Sequence, residues 1–218
     1  MKTPSRWQFA QMLEIRWWKN YLKKKEVGDY LEWKKNYWNT FLLSIPSDLL
    51  SPGQLVLDAG CGPAGIFIVL PQHQVIGVDP LIDQYRQHLP HFRPDLSPWT
   101  EFYSTPLESF VYPKTFDLIF SLNAFNHFKD LTVSLQVLDK VLKPGGHCIL
   151  TLDTHRHAWM KFILSRIPAD ALHPHQYNQQ EYIQKILEVN PHWKLVFEKT
   201  LKQEQIFNYD LLIWKKED

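Results

Sequence analysis

Hydrophobic positions along this 218-residue chain change their period near Pro52. Before that point, aromatic and aliphatic residues recur every three to four positions, which predicts two amphipathic helices. The first helix follows Ser5, which fits a capping box with Gln8. The second is expected to begin near Asp29 and to end at Pro46.

Beyond Pro52, short apolar runs alternate with segments of helical period. This alternation predicts buried parallel strands with helices packed on both faces of one sheet. The predicted strands are 55–59, 74–79, 99–103, 116–121 and 147–152. The predicted helices are 64–70, 81–88 and 130–142. A Lys-Pro-Gly-Gly turn at 143–146 is expected to separate the last helix from the last of these strands.

The C-terminal part of the chain has a different pattern. Residues 178–189 predict a helix, and 193–198 and 208–215 predict two strands. The link between these strands is too short for a helical crossover, so we expect them to pair antiparallel.

Charge and aromatic content separate the N-terminal helices from the rest. Residues 1–45 hold nine of the 24 Lys/Arg, four of the 23 Asp/Glu and five of the nine tryptophans. The favoured interpretation is a helical cap that packs on residues 46–218, with its lysines in solvent. The alternative is contact with an anionic partner or a membrane surface. No apolar run is long enough to span a bilayer.

The two cysteines, Cys61 and Cys148, are expected to be reduced and packed, although the sequence leaves open a pair between them. The N-terminus leads into a charged, Trp-containing segment rather than a signal-peptide stretch. We therefore expect a cytoplasmic protein. The oligomeric state stays open.

The segment after the first predicted strand contains the main chemical signal. Gly60-Cys61-Gly62-Pro63-Ala64-Gly65 fits the G-x-G-x-x-G pattern, which alone predicts a dinucleotide site. Asp58, at the end of that strand, would repel a pyrophosphate and attract an ammonium or sulfonium. Asp79 ends the second predicted strand and can accept hydrogen bonds from both ribose hydroxyls. An adenosine-containing cofactor is predicted, and a nicotinamide-dependent oxidoreductase is the weaker alternative.

The chain resembles the class I S-adenosylmethionine-dependent methyltransferases. The resemblance rests on Asp58-x-Gly60-x-Gly62, on Asp79, on Phe116-Asp117 followed by apolar residues, and on the intact Leu-Lys-Pro-Gly-Gly at 142–146. Asn123-x-x-x-His127 matches a further motif. The resemblance implies a Rossmann-like α/β sandwich with a seven-stranded mixed sheet in the order 3-2-1-4-5-7-6, its last strand antiparallel.

The resemblance also implies which residues bind S-adenosylmethionine. Two positions depart from the family pattern, since Ala64 stands where a third glycine is common and Thr105 where an acid often meets the adenine amine. The backbone of Leu107 is the better adenine partner, because Pro106 has no N–H. The cofactor-binding residues predicted are Asp58, Gly60, Cys61, Gly62, Asp79, Pro80, Thr105, Leu107, Ser121 and Asn123.

Methyl transfer from a sulfonium needs a nucleophile held in line, and a general base only when the acceptor is protonated. His127 and His155 are the candidate bases, because they follow the fourth and fifth predicted strands at the edge where open α/β sheets bind ligands. For His127 we favour the alternative of a loop-positioning role. Asp153, His155, His157, His173 and His175 lack a specific metal-ligand spacing, so we predict no metal.

Six aromatic residues of the first 45 are candidates for a lid over the cofactor and acceptor: Trp7, Trp17, Trp18, Trp33, Tyr37 and Trp38. We expect most of these rings to be core. The expected acceptor is a small molecule rather than nucleic acid, since charge is near neutral and the catalytic tetrapeptide of amino-methylating nucleic-acid enzymes is absent at 121–124. A lipid or quinone acceptor at a membrane, and a cofactor-binding domain without transfer activity, remain alternatives.

Overall fold

A seven-stranded mixed sheet forms the centre of the protein, in a computed structural model that describes residues 6–155, 177–203 and 207–217. Its strands are β1 (Leu55–Ala59), β2 (Gln74–Val78), β3 (Thr100–Tyr103), β4 (Phe116–Leu122), β5 (Leu142–His155), β6 (Trp193–Gln203) and β7 (Phe207–Lys216). Their order is β3-β2-β1-β4-β5-β7-β6. β7 pairs antiparallel with both β5 and β6, and all other pairs are parallel. The predicted sheet order and the antiparallel pair are confirmed.

Five α-helices surround this sheet in the described part of the chain. They are α1 (Arg6–Leu22), α2 (Val27–Leu42), α3 (Ile82–His88), α4 (Leu131–Val141) and α5 (Gln179–Val189). Side-chain caps fix the last two starts, because Asp130 accepts from the Val133 N–H at 3.1 Å and Asn178 forms a capping box with Glu181. The capping box predicted at Ser5 lies outside the described residues.

Two predicted helices differ from the structure. α2 begins at Val27 rather than near Asp29, because the Glu26 side chain accepts the Asp29 N–H at 2.8 Å and so caps the helix earlier. Residues 64–70 contain only a short 3-10 turn at Ile66–Val69. All side chains from Ala64 to Ile68 are buried, so this segment lacks the polar face of an amphipathic surface helix.

Strand side chains point alternately to the two faces of the sheet, and each face carries its own core. Val56 packs with buried residues of α1, α2 and α3, whereas Leu57 packs with those of α4 and α5. The cap helices contribute Trp38 and Phe41 to the first core. Cys61 and Cys148 are both free and buried, one in each core, so the pairing that the sequence left open does not form.

The amino end of β4 connects three strands. Asp117 accepts the backbone N–H of Leu55 at 2.8 Å and the Lys143 ammonium at 2.5 Å, so it joins β4 to the starts of β1 and β5. β5 begins at Leu142 rather than at His147, because Leu142 already pairs with Phe116 and the Lys-Pro-Gly-Gly residues form an irregularity within the strand. These groups lie at the sheet edge opposite the candidate site and have a structural role.

None of the helices in the described ranges is long and apolar enough to cross a membrane.

Candidate cofactor site

A cavity of about 1060 Å³ lies at the carboxyl ends of β1, β2 and β4, beneath the cap helices α1 and α2. Its floor is the turn from Gly60 to Gly65 together with Asp79, and one wall is formed by 106–108 and Asn123. α1 and α2 form the roof, and Tyr209 of β7 closes one side. This is the edge at which open parallel sheets bind ligands.

The glycine turn is shaped by contacts that exclude larger residues. Gly60 has a φ of 75°, and a Cβ there would lie 2.4 Å from the Cβ of Ala124. Its backbone N–H donates to the Val78 carbonyl at 2.7 Å, which joins the turn to the end of β2. Gly62 also has a positive φ, of 58°. The turn therefore exposes backbone to the cavity, where a ligand can approach it closely.

Asp79 lines the cavity and holds the turn in place. One carboxylate oxygen accepts the Gly62 N–H at 3.0 Å, and the other accepts the Leu81 N–H at 2.8 Å. Burial raises the pKa of Asp79 to about 6, and these two N–H groups oppose the increase. Each oxygen retains acceptor capacity for a further donor, such as a hydroxyl.

Asp58 occupies a different position from the one expected of a residue that contacts the cofactor. It is buried and is absent from the cavity lining, and it accepts the Phe67 N–H at 3.2 Å behind the glycine turn. Burial raises its pKa to about 7. The glycine turn separates Asp58 from the cavity. The ammonium of Lys34, which lines the cavity, still favours the ionised form of Asp58.

Seven of the ten predicted cofactor-binding residues line the cavity: Gly60, Cys61, Gly62, Asp79, Pro80, Leu107 and Asn123. Asn123 has a φ of 56°, uncommon outside glycine, and it directly follows β4. Thr105 and Ser121, like Asp58, do not line the cavity. The Thr105 hydroxyl contacts the Pro106 carbonyl at 3.4 Å, and Ser121 is fully buried within β4.

The six candidate lid aromatics of the cap all line the cavity: Trp7, Trp17, Trp18, Trp33, Tyr37 and Trp38. The expectation that most of them are core is wrong, since only Trp38 is buried and Trp17, Trp33 and Tyr37 are exposed. Trp38 joins the cap to the floor, because its indole N–H donates to the Ala64 carbonyl at 2.9 Å. The cap positions aromatic faces over the glycine turn.

The charged cavity residues that the sequence reasoning missed include Glu14 and Lys34. Glu14 of α1 lines the cavity, and burial together with the nearby charge of Asp79 raises its pKa to about 8. Lys34 of α2 lies 4.4 Å from the ring centre of Trp38 and 5.1 Å from that of Tyr37. Burial lowers the pKa of Lys34 to about 8, and Asp58 opposes this change. Their only sequence signal was a charge amid aromatic positions, which is also typical of a solvent-facing helix surface.

The two candidate bases, His127 and His155, lie after β4 and at the end of β5. His127 ends a short 3-10 turn after β4 and lines the cavity. His155 is the last residue of β5, and its side chain lies outside the described residues. His157, His173 and His175 also lie outside them. The described ranges contain no group of three potential metal ligands.

Comparison with known proteins finds a methyltransferase domain. Residues 57–150 match a family described as a methyltransferase domain, and these residues span β1 to β5 with the glycine turn and Asp79. The comparisons support a class I S-adenosylmethionine-dependent methyltransferase. S-adenosylmethionine is the cofactor that this domain indicates.

Two relatives illustrate the range of the match. Phosphoethanolamine N-methyltransferase 3 of Arabidopsis thaliana is 33% identical over 106 residues, which cover 47% of this chain and 21% of that enzyme. The human mitochondrial ubiquinone biosynthesis O-methyltransferase is 34% identical over 107 residues, covering 45% and 28%. The chain thus spans less than a third of the length of either relative.

Among solved structures, the YcgJ protein of Bacillus subtilis superposes with a TM-score of 0.65 at 16% identity. That superposition covers 83% of this chain and 98% of YcgJ, and it supports the fold alone.

The residues of the cavity fit S-adenosylmethionine in their hydrogen-bonding groups and charge. Among the described residues, the buried side-chain atoms Gln11 Nε2 and Asn208 Oδ1 have no hydrogen-bond partner, and both residues line the cavity. Asp58, Asp79 and Glu14 all have raised pKa values, because burial disfavours their charged forms. A cationic ligand relieves this penalty, and the cofactor carries a sulfonium and an ammonium.

Proposed function

We propose that this protein transfers a methyl group from S-adenosylmethionine to a small-molecule acceptor held beneath the cap. The observation that carries the proposal is the combination, in one cavity, of the glycine turn, Asp79 and a roof of aromatic rings. The first two suit an adenosine with free ribose hydroxyls. The rings suit a sulfonium, since aromatic faces attract cations.

The cavity residues suggest how the cofactor is held. Asp79 accepts the ribose hydroxyls through the acceptor capacity that Gly62 and Leu81 leave free. The backbone at 106–108 meets the adenine, and Lys34 pairs with the methionine carboxylate. Lys34 is suited to this role because its ammonium already lies inside the cavity, steadied by aromatic rings.

The bound cofactor supplies a methyl group activated by its positive sulfur. The protein orients the methyl group and the acceptor relative to each other. The rings of α1 and α2 line the cavity and shield the reacting groups from water. His127 lies on the same wall as Asn123 and can take the proton of a hydroxyl or ammonium acceptor. Transfer by in-line displacement is part of the proposal.

The size of the cavity supports a small acceptor beside the cofactor. Pockets for a single small ligand have volumes of about 300–1000 Å³, and this cavity reaches about 1060 Å³. The relatives' names concern O-methylation in ubiquinone biosynthesis and N-methylation of phosphoethanolamine. Phenolic and amine acceptors are therefore the first two classes to test.

Calorimetric titration with S-adenosylmethionine, S-adenosylhomocysteine and NAD tests the cofactor. Micromolar binding of the first two without binding of NAD is expected. Binding of NAD alone would contradict the proposal, because the glycine turn would then serve a dinucleotide.

Transfer itself is tested with methyl-labelled S-adenosylmethionine and panels of phenolic and amine acceptors. Label in an acceptor, reduced in a His127→Ala variant that still binds S-adenosylhomocysteine, is the expected result. Tight cofactor binding with no label in any acceptor would instead favour a cofactor-binding sensor or partner subunit.

A further inference from the structure

The cap carries an exposed aromatic patch at the mouth of the cavity, formed by Trp17, Tyr21, Trp33 and Tyr37. Trp17 and Trp33 are 50% and 51% exposed. The rings of Trp17 and Tyr21 stack at 4.9 Å, and those of Trp33 and Tyr37 lie 5.9 Å apart. The buried Tyr30 connects the two pairs, at 6.4 Å from Tyr21 and 5.8 Å from Trp33. The patch is therefore continuous across both helices.

Exposed aromatic rings concentrate on the cap helices. Of the Phe, Trp and Tyr residues whose side chains the structure describes, every exposed one lies on α1 or α2. Phe9 and Met12 of α1 are also exposed, at 47% and 59%, but lie on other sides of the helix from Trp17. Elsewhere among the described side chains, large apolar residues are exposed one at a time, as is usual for a globular protein. The continuous group of exposed rings formed by Trp17, Tyr21, Trp33 and Tyr37 marks an interaction surface.

Basic residues border the aromatic patch. Lys23, Lys24 and Lys25 are consecutive and exposed in the turn between α1 and α2. The Lys25 ammonium lies 4.6 Å from the ring centre of Tyr21, so the basic turn and the patch are in contact. This face therefore combines amphipathic rings with cations.

We propose that the aromatic patch and the basic turn dock this protein on an anionic phospholipid bilayer. Trp and Tyr favour the membrane–water interface, and lysines are attracted to anionic lipid headgroups. Since Trp17, Trp33 and Tyr37 also line the cavity, docking places the cavity mouth against the lipid. The acceptor is then an amphiphile that enters from the bilayer, a consequence that rests on the proposed function, whereas the docking does not.

Flotation with lipid vesicles tests the docking. The probes are vesicles of phosphatidylcholine alone and of phosphatidylcholine with phosphatidylglycerol in an about 2:1 mixture. The full chain is expected to float with the anionic vesicles, and to be released as salt concentration rises. A Lys23→Gln/Lys24→Gln variant is expected to lose partitioning by about 25-fold, or about fivefold for each lysine removed.

A matched control is Lys114→Gln/Lys140→Gln. These lysines are also exposed, but they lie at the amino edge of the sheet, opposite the cavity, before β4 and near the end of α4. The control loses the same charge and is expected to float like the unmodified chain. A Tyr21→Ala variant, which removes a ring of the patch that does not line the cavity, is expected to bind both vesicle types less.

Three outcomes would overturn the docking: no flotation with anionic vesicles, equal losses in the basic-turn variant and its control, or concentration-dependent dimers that disappear in Tyr21→Ala. The last result would assign the patch to a second copy of the chain. Titration of each variant with S-adenosylhomocysteine separates the two proposals. If the unmodified chain fails to bind it, the proposed function fails while the vesicle result stands.

Discussion

Replacing Asp79 with asparagine is the most direct test of the cofactor site. The substitution preserves side-chain volume and removes one negative charge from the cavity floor. Both oxygens of Asp79 accept backbone N–H groups, from Gly62 at 3.0 Å and from Leu81 at 2.8 Å. An asparagine oxygen can still accept one of them, whereas its NH₂ group faces the other as a second donor.

The expected loss of affinity follows from these contacts. One charge-assisted hydrogen bond to a ribose hydroxyl becomes a neutral one, and the second is lost because the NH₂ group cannot accept it. Hydrogen bonds to charged groups contribute about 1.5–3 kcal/mol and neutral ones about 1 kcal/mol. We expect binding of S-adenosylhomocysteine to weaken by about 2–5 kcal/mol, so that Kd rises by at least about 30-fold.

Calorimetric titration above pH 7 measures the effect, because Asp79, with a pKa of about 6, is then ionised in the unmodified protein. Asp83→Asn is the matched control, since it removes the same charge from an exposed residue four positions away. A folded Asp79→Asn protein whose Kd stays within threefold of the control would refute the placement of the ribose on Asp79.

Three further substitutions test other parts of the site. Lys34→Met is expected to weaken S-adenosylhomocysteine binding about 5- to 30-fold by loss of one ion pair, whereas Lys35→Met, on the exposed side of α2, should leave calorimetric affinity unchanged. Trp38→Phe removes the 2.9 Å bond to the Ala64 carbonyl, and urea unfolding should show a loss of about 1 kcal/mol; an unchanged midpoint would mean that this bond does not hold the cap. Asp58 has a folded pKa of about 7, above its usual 3.8, so the folded protein binds this proton more tightly than the unfolded chain does. Stability from the protonated form is present below about pH 4 and is lost as pH rises to about 7. The stability of Asp58→Asn relative to the unmodified protein should therefore increase by up to about 4 kcal/mol as pH rises between these values. A difference between the thermal midpoints of the two proteins that is the same at pH 5 and at pH 8 would contradict this.

Local patterns in the sequence were sufficient to predict the individual strands and the floor of the site. Five apolar runs and two C-terminal strands predicted the seven strands, since a buried parallel strand needs a continuous apolar stretch. Such local patterns also predicted Gly60, Gly62 and Asp79. A tight turn and an acid at the end of a strand can each be recognised from a few neighbouring residues. The family resemblance supplied the strand order, which no local pattern contains.

Only the tertiary structure decided how the cap meets this floor. The helical period placed Trp17, Trp33 and Tyr37 on amphipathic helices, but it could not tell a ring in the core from a ring over a cavity, because both are apolar at the same spacing. Glu14 and Lys34 were indistinguishable from solvated charges until α1 and α2 packed over the sheet. Asp58 is the opposite case. The sequence predicted that it contacts the cofactor, whereas its carboxylate packs behind the glycine turn. The spacing of apolar residues depends on the helix or strand that contains them. The solvent exposure, charge state and partners of each side chain depend on the elements that pack against it.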